Sequence, residues 1–454
     1  MSVASSSGVE PMVSIAALDK RSRASLDLSP DDRSIPDRAV DALTRAGDAA
    51  RRRIESRAAV DLYGRALALA GPESGWGVRE SWIVSMLGEA RYWLGDFDDA
   101  EARFRKAMAL AEGDDRVTAH AARFLADITL TVRGDDALAA GLFERSLEAA
   151  RRLGDPRVLA RTLLMAGWVP YWRDRLDDAE QLFQEALDVS RSGDVPDAWA
   201  EVRALVGLAG VTSPRGSEAD VLTIAKDALA TAEASGQQFS AAIAHQLVSA
   251  SSCRMLDLDE AIEHADTAVR IMRELGARWE LASVLGDRGA AHRVAGRLDA
   301  AELDLREAFV LCRDLNERAL VTWTASELAR TLAMQGDVGG ARSVLADPVA
   351  RTAEGDQGRS TALLYAEAVT DLAEGDRPGA RSRSLALLAA ETGERQQPNR
   401  RAAAVWWTGS LFGPEAAGGE RAIEEARDTL ERNGWRQALH EPELVAGLGV
   451  VATS

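Results

Sequence analysis

Residues Leu87 to Ala107 read LGEARYWLGDFDDAEARFRKA, and the glycine at position 95 cuts that stretch in two. After it, Ala100, Phe104 and Ala107 recur at the four- and three-residue spacing that places side chains on one stripe of an α-helix. Before it, Gly88 follows the apolar Leu87. Glycine enters the left-handed cap conformation at no steric cost, so Gly95 is placed to end a first helix and Asp96 to cap a second. The stretch predicts helix, tight turn, helix.

The same pattern recurs along almost the whole chain. The alanine appears as Ala59, Ala100, Ala139, Ala179, Ala261, Ala301, Ala341, Ala380 and Ala422, with Val221 in its place once, and successive positions lie 39 to 42 residues apart. A glycine stands five residues earlier at Gly95, Gly134, Gly216, Gly296, Gly336 and Gly375. A bulky residue stands four later at Tyr63, Phe104, Phe143, Phe183, Leu305 and Leu345. A second small residue follows at Ala66, Ala107, Ser146, Ala186, Ala228, Ala268 and Ala308. Small first-helix residues such as Gly88, Gly167 and Gly289 are expected to lie opposite the second-helix alanine, with the bulky side chain filling the gap between helices. A fixed period of this length marks one supersecondary unit stacked on itself, a solenoid.

This arrangement resembles the tetratricopeptide repeat, most clearly in Leu87, Gly88, Gly95, Ala100, Phe104 and Ala107. The period is longer than the roughly 34 residues of that family, so each helix is expected to gain about a turn. Arg91 replaces the family's first-helix aromatic, with Tyr92 beside it, and the proline that usually closes each unit is mostly missing. The resemblance is closest to the long-period arrays at the C-termini of bacterial signalling ATPases and ATP-dependent transcriptional activators. It implies an all-α fold, a right-handed superhelical solenoid of about ten helix-turn-helix units with a period near 40, spanning residues 36–433. Residues 1–35, opening on a serine-rich stretch without the repeat, are expected to form a flexible tail, and residues 434–454 a capping segment. The fifth unit is irregular at 211–216, the tenth is interrupted at 413–419, and Pro170 is expected to kink or end its helix.

Composition narrows the function. The chain of 454 residues is 46% apolar and 28% charged, with a formal net charge of −18. Arginines are interleaved with acids, so the clustered basic face that phosphate neutralisation requires is missing, and basic or neutral partners are favoured over nucleic acid. The run Arg51-Arg52-Arg53 is expected to be a solvated helix face. No apolar stretch approaches the ~20 residues of a membrane helix, and the opening residues do not read as a signal peptide. Cys253 and Cys312 are expected to be reduced core residues, which fits a cytoplasmic location. Lysine occurs only at Lys20, Lys106 and Lys226; that bias toward arginine fits a GC-rich bacterial genome.

The sequence holds no phosphate-binding G-x-x-x-x-G-K-[S/T], no H-E-x-x-H, no paired C-x-x-C and no G-x-S-x-G in a strand–turn–helix setting. His245 and His264, on the two helices of one unit, are expected to be packing or surface residues rather than metal ligands. Acidic pairs such as Asp98-Asp99 and Asp177-Asp178 open second helices, where they complement the helix dipole. No catalytic, cofactor-binding or metal residue is assigned.

In tetratricopeptide arrays the first helices line a concave groove, and the resemblance places Trp82, Tyr92, Arg161, Trp168, Tyr171, Arg203, Arg293, Trp323 and Arg330 there. Aromatic rings with arginines suit peptide recognition, by stacking and carboxylate pairing. The function expected is that of a non-catalytic scaffold or sensor that binds a protein or peptide partner in bacterial signalling or transcriptional regulation. A separate ATPase or DNA-binding chain is a candidate partner. The alternative is a small-effector-binding regulatory domain of a signalling ATPase or cyclase system, with its ligand near Trp168, Tyr171 and Trp172.

Overall fold

The computed structural model describes residues 34–52, 55–70, 77–173, 175–192, 197–315, 318–351, 357–391 and 397–448. The expected tail up to residue 33 and the end of the chain from residue 449 lie outside them. Among the described residues every regular element is a helix.

The helices come in pairs. The first five units are α1 (Ser34–Arg52) with α2 (Ser56–Ala70), α3 (Gly77–Trp93) with α4 (Phe97–Leu110), α5 (Asp115–Ile128) with α6 (Asp136–Leu153), α7 (Pro156–Trp172) with α8 (Leu176–Ser192), and α9 (Ala198–Thr212) with α10 (Glu218–Ser235). The next three are α11 (Gln238–Arg254) with α12 (Leu258–Leu275), α13 (Arg278–Val294) with α14 (Leu298–Asp314), and α15 (Arg318–Gln335) with α16 (Val338–Leu345). A short α17 (Pro348–Arg351) precedes the ninth unit, α18 (Gln357–Glu374) with α19 (Arg377–Glu391). The tenth is α20 (Pro398–Phe412) with α21 (Glu420–Arg432), and α22 (Arg436–Val445) follows it. Consecutive helices of the ten pairs pack on one another along the chain, as the alanine period predicts.

The seam between helices explains the period. Ala59, Ala100, Ala139, Ala179, Ala261, Ala301, Ala341 and Ala380 are wholly removed from solvent. A Cβ added to Gly88 would lie 2.9 Å from Phe104 Cε1, one on Gly167 2.6 Å from Phe183 Cε1, and one on Gly289 2.6 Å from Leu305 Cγ. The small first-helix residue therefore faces the bulky side chain rather than the alanine, which corrects the expected pairing: the ring already fills the volume a β-carbon needs.

The turns follow the predicted chemistry with three exceptions. Gly95 and Gly296 adopt φ of 77° and 71°, and Asp135 caps α6 by accepting from Leu138 N at 3.0 Å. Gly216 stays out of the left-handed region, and the equivalent place in the sixth unit is Leu256, held at φ 63°. That conformation costs a non-glycine residue about 1–2 kcal/mol. Asp96 makes no cap; its carboxylate takes Arg91 Nη1 at 3.1 Å instead. Pro170 does not end its helix: α7 runs past it to Trp172, and Arg175 N donates back to the Pro170 carbonyl at 2.9 Å just beyond.

Successive superhelical turns touch. In the second unit, a Cβ on Gly95 would meet Leu315 Cδ2, at the end of the seventh, at 2.0 Å. A π-helical turn at Thr129–Arg133, in the third unit, packs on α15 of the eighth. In the fifth, the irregular turn is held by Asn399 of the tenth, whose Nδ2 donates to the carbonyls of Ser213 and Gly216, both at 2.8 Å. The offset is the same each time, and the stacked turns narrow the groove to a channel. Into its C-terminal half folds α22, which packs on α11 and α13.

Candidate functional site

The inner stripe of the first helices carries buried charge in three groups. Near the N-terminal end, Arg51 Nη1 donates to both oxygens of Glu89, at 3.0 and 3.2 Å, and Glu89 also bonds His120 Nε2 at 2.8 Å. Arg51 is thus drawn inward, not solvated as its basic run implied. Burial pushes the Glu89 carboxyl up, yet Arg51, His120 and Arg123 together hold it well below the usual range. Burial lowers the His120 imidazole to about 4, so it stays neutral at physiological pH.

The middle group combines Tyr92 from α3, Asp127 from α5, Arg203 from α9 and Glu280 from α13. Tyr92 OH donates to Asp127 Oδ2 at 2.6 Å. Glu280 is 2% exposed and has no ion-pair partner within 4 Å among the described residues. Burial raises both the Asp127 and Glu280 carboxyls, and Arg203 offsets this only in part. The Arg203 Nε is buried without a hydrogen-bond partner among the described residues. Two helix turns further along α13, Asp287 accepts from Gln246 Nε2 at 2.7 Å, and burial pushes its carboxyl up to about 6.

In the third group α22 closes the channel. Arg293 of α13 is 1% exposed; its Nε donates to Glu327 of α15 at 3.0 Å, and Nη2 and Nη1 donate to Glu441 of α22 at 2.8 and 3.1 Å. Arg330 pairs with Glu327 at 2.6 Å and also with Glu441, and its guanidinium lies 4.4 Å above the Tyr365 ring. Despite burial, the two arginines hold Glu441 well below the usual carboxylate range.

The remaining residues expected in the groove are distributed along it. Arg116 covers the Trp82 ring at 3.9 Å. Arg161 grips Asp197, the N-cap of α9, through Nε at 2.7 Å and Nη2 at 3.2 Å. Trp168 packs edge-on to Tyr171 and Phe183, with centroids 5.1 and 5.0 Å away. Trp323 fills the face of Gly286, where an added Cβ would meet it at 2.2 Å. The structure thus brings Arg293 and Arg330 together, and Tyr92 near Arg203, while Arg161 and Trp323 are engaged in holding the array. The side chain of Trp172 lies outside the described residues.

Sequence reading missed Asp127, Glu280, Asp287, Glu327 and Glu441. The first four lie on first helices where a helical-wheel register would find them, but Glu441 stands beyond the repeat and carries no periodic signal. Elsewhere, Asp98 and Asp177 do lie in first turns of second helices, and each also takes an arginine of the next unit, Arg133 or Arg215. His245 and His264 meet at 2.8 Å through their Nδ1 atoms, and no group of three or more metal-ligating side chains occurs among the described residues. Cys253 and Cys312 are buried thiols, not joined in a disulfide. No described helix is long and apolar enough to cross a membrane.

Stacked helix pairs with a glycine-to-aromatic seam and a charged inner channel define a helical-repeat solenoid. The tetratricopeptide repeat model matches residues 80–152, nearly all of the second and third units. Solved structures with similar shape include aspartyl phosphate phosphatase F from Bacillus subtilis, 11% identical over 81% of this chain and 96% of that one, with a TM-score of 0.47. A Rap protein complexed with competence and sporulation factor is 13% identical over 87% and 99%, with a TM-score of 0.43. A signal transduction ATPase with numerous domains and a tetratricopeptide repeat sensor, from Pyrococcus horikoshii, is 12% identical over 87% and 54%, with a TM-score of 0.45. No curated protein matches the sequence.

Proposed function

We propose that this array is a non-catalytic interaction module, a scaffold or sensor, whose inner channel receives a peptide or protein segment. One observation carries the reading: the channel already holds a helix, α22, anchored through a single carboxylate on Arg293 and Arg330. The inner face is thus built to accept a chain segment by charged hydrogen bonds in a desolvated setting, where such bonds are strong. Upstream of α22 the middle group awaits a partner of opposite character. Glu280 and Asp127 are buried carboxylates with Arg203 as their nearby countercharge among the described residues, so a lysine or arginine of the partner would be received there. The net charge of −18 favours approach of such a basic segment.

In this reading the protein works in bacterial cytoplasmic signalling or transcriptional control, and an ATPase or DNA-binding chain is a candidate partner. The test is fluorescence anisotropy with labelled peptides of matched length carrying lysines or glutamates. Basic peptides should bind and acidic ones should not, and Glu280→Gln should weaken binding about tenfold without loss of helicity. Equal binding of the two peptide classes, or an unaltered affinity in Glu280→Gln, rejects the assignment.

A further inference from the structure

Arg116, His120, Arg123 and Asp127 follow one another at four- and three-residue steps, so they share one stripe of α5. Three of the four are engaged: Arg116 covers Trp82, His120 bonds Glu89, and Asp127 takes the Tyr92 hydroxyl. Arg123 is not. It is 4% exposed, and its sealed Nε has no hydrogen-bond partner among the described residues. Its terminal nitrogens are not sealed, and no described carboxylate lies within 4 Å of them.

The charges around Arg123 do not balance it. Glu89 and Asp197 act on it through space, but Glu89 is taken by Arg51 and His120, and Asp197 by Nε and Nη2 of Arg161. Arg51 and Arg161 in turn repel it. Burial pushes its guanidinium down to about 10, so it stays charged at neutral pH. One helix turn further along α5 the balance reverses, where Asp127 and Glu280 have Arg203 as countercharge. Four residues of helix set Arg123 and Asp127 about 6 Å apart along the axis. The channel thus presents an unsatisfied cation and an unsatisfied acidic group one turn apart. A buried charge without a hydrogen-bonded partner is costly, and a carboxylate brought to a guanidinium out of water makes a strong, directional pair.

We propose that the segment received by the channel is a helix carrying an acidic and a basic side chain one turn apart, the carboxylate on Arg123 and the cation on Glu280 and Asp127. This rests on the reading that the channel receives a chain segment. Residues four apart on a helix share a face at about the same 6 Å spacing, and α22 shows that the channel holds a helix. An acidic residue alone meets the net charge of −18 and Glu280; the basic one favours approach, and the acidic one fixes the register.

Fluorescence anisotropy on the full chain tests this with labelled alanine-based helical peptides of equal length. One carries lysine alone, two carry glutamate and lysine four residues apart in either order, and one carries them two residues apart, on different faces. At least one four-residue spacing should bind about tenfold more tightly than the lysine-only and two-residue peptides. Arg123→Gln should erase that advantage, keep the parent's circular dichroism and leave the lysine-only peptide bound as before; Arg123→Lys, which keeps the charge, should retain part of it. A glutamate–lysine pair also firms the peptide's own helix, an effect that does not depend on Arg123 and that the variant therefore separates. The comparison of spacings needs no variant. Lysine-only binding with no gain from glutamate, or a gain that survives Arg123→Gln, overturns the inference and leaves the reading of the channel standing. Binding of none of the peptides rejects that reading and the inference with it.

Discussion

Glu441 lies 2.8 Å from Arg293 Nη2 although 148 residues separate them, and both side chains are sealed from solvent. This contact fastens the C-terminal helix inside the superhelix. Removing one partner from a buried pair leaves an uncompensated charge and costs about 3–5 kcal/mol. Glu441→Ala is therefore expected to lower the denaturant midpoint and to expose α22 to limited proteolysis ahead of the rest of the chain. A variant with parent stability and an uncut C-terminus would show that the helix is not held this way.

The glycine seam is testable by a double-mutant cycle. Gly88→Ala places a β-carbon against the Phe104 ring and should cost about 1–3 kcal/mol, even though alanine is the better helix former. In a Phe104→Ala background the same change should be neutral or stabilising. Additive costs, read from urea unfolding, would separate the two residues.

Contact between superhelical turns predicts unequal effects at two turn glycines. Gly95→Ala and Gly296→Ala both force alanine to positive φ, at about 1 kcal/mol each. Only at Gly95 does the new methyl strike a neighbour, Leu315, whereas nothing lies within 4 Å at Gly296. Gly95→Ala should melt lower than Gly296→Ala, and Leu315→Ala should abolish the difference. Identical melting of the two single variants would contradict the stacking of the second unit on the seventh.

Asp287 supplies a pH signature. Its carboxyl, ordinarily near 3.8, is pushed up to about 6 by burial, so the folded state binds the proton more tightly than the unfolded chain. Above pH 6 the residue is charged in both states and the fold bears the burial penalty; below 3.8 it is neutral in both. Asp287→Asn, which keeps an acceptor for Gln246, should stabilise by up to about 3 kcal/mol at pH 8, and the gain should fade as the pH falls through 6 toward 4. Melting curves of parent and variant across that range check it, and a gain that is flat in pH would refute it.

Much of the architecture was legible because a stacked repeat writes its packing into local spacing. Ala100, Phe104 and Ala107 show their helical face within eight residues, and the same face returns unit after unit. The site was legible only in outline. Trp82, Tyr92 and Trp168 could be placed on first helices, but a residue's helical face does not reveal what stands across the channel from it. Arg161, expected to face a partner, instead holds Asp197 at the start of the next first helix. The irregular turn at 211–216 looked like a lapse in the repeat; it is where Asn399 docks.

The sequence by itself determined the paired helices, their number and the small-residue seams, since those depend on contacts within a unit and between neighbours. Only the tertiary structure decided how tightly the superhelix winds, which brings the second unit onto the seventh and the fifth onto the tenth. It alone also placed Glu441 between Arg293 and Arg330. Winding sums small rotations over many units, and a charge far along the chain becomes a neighbour only once that sum closes a turn.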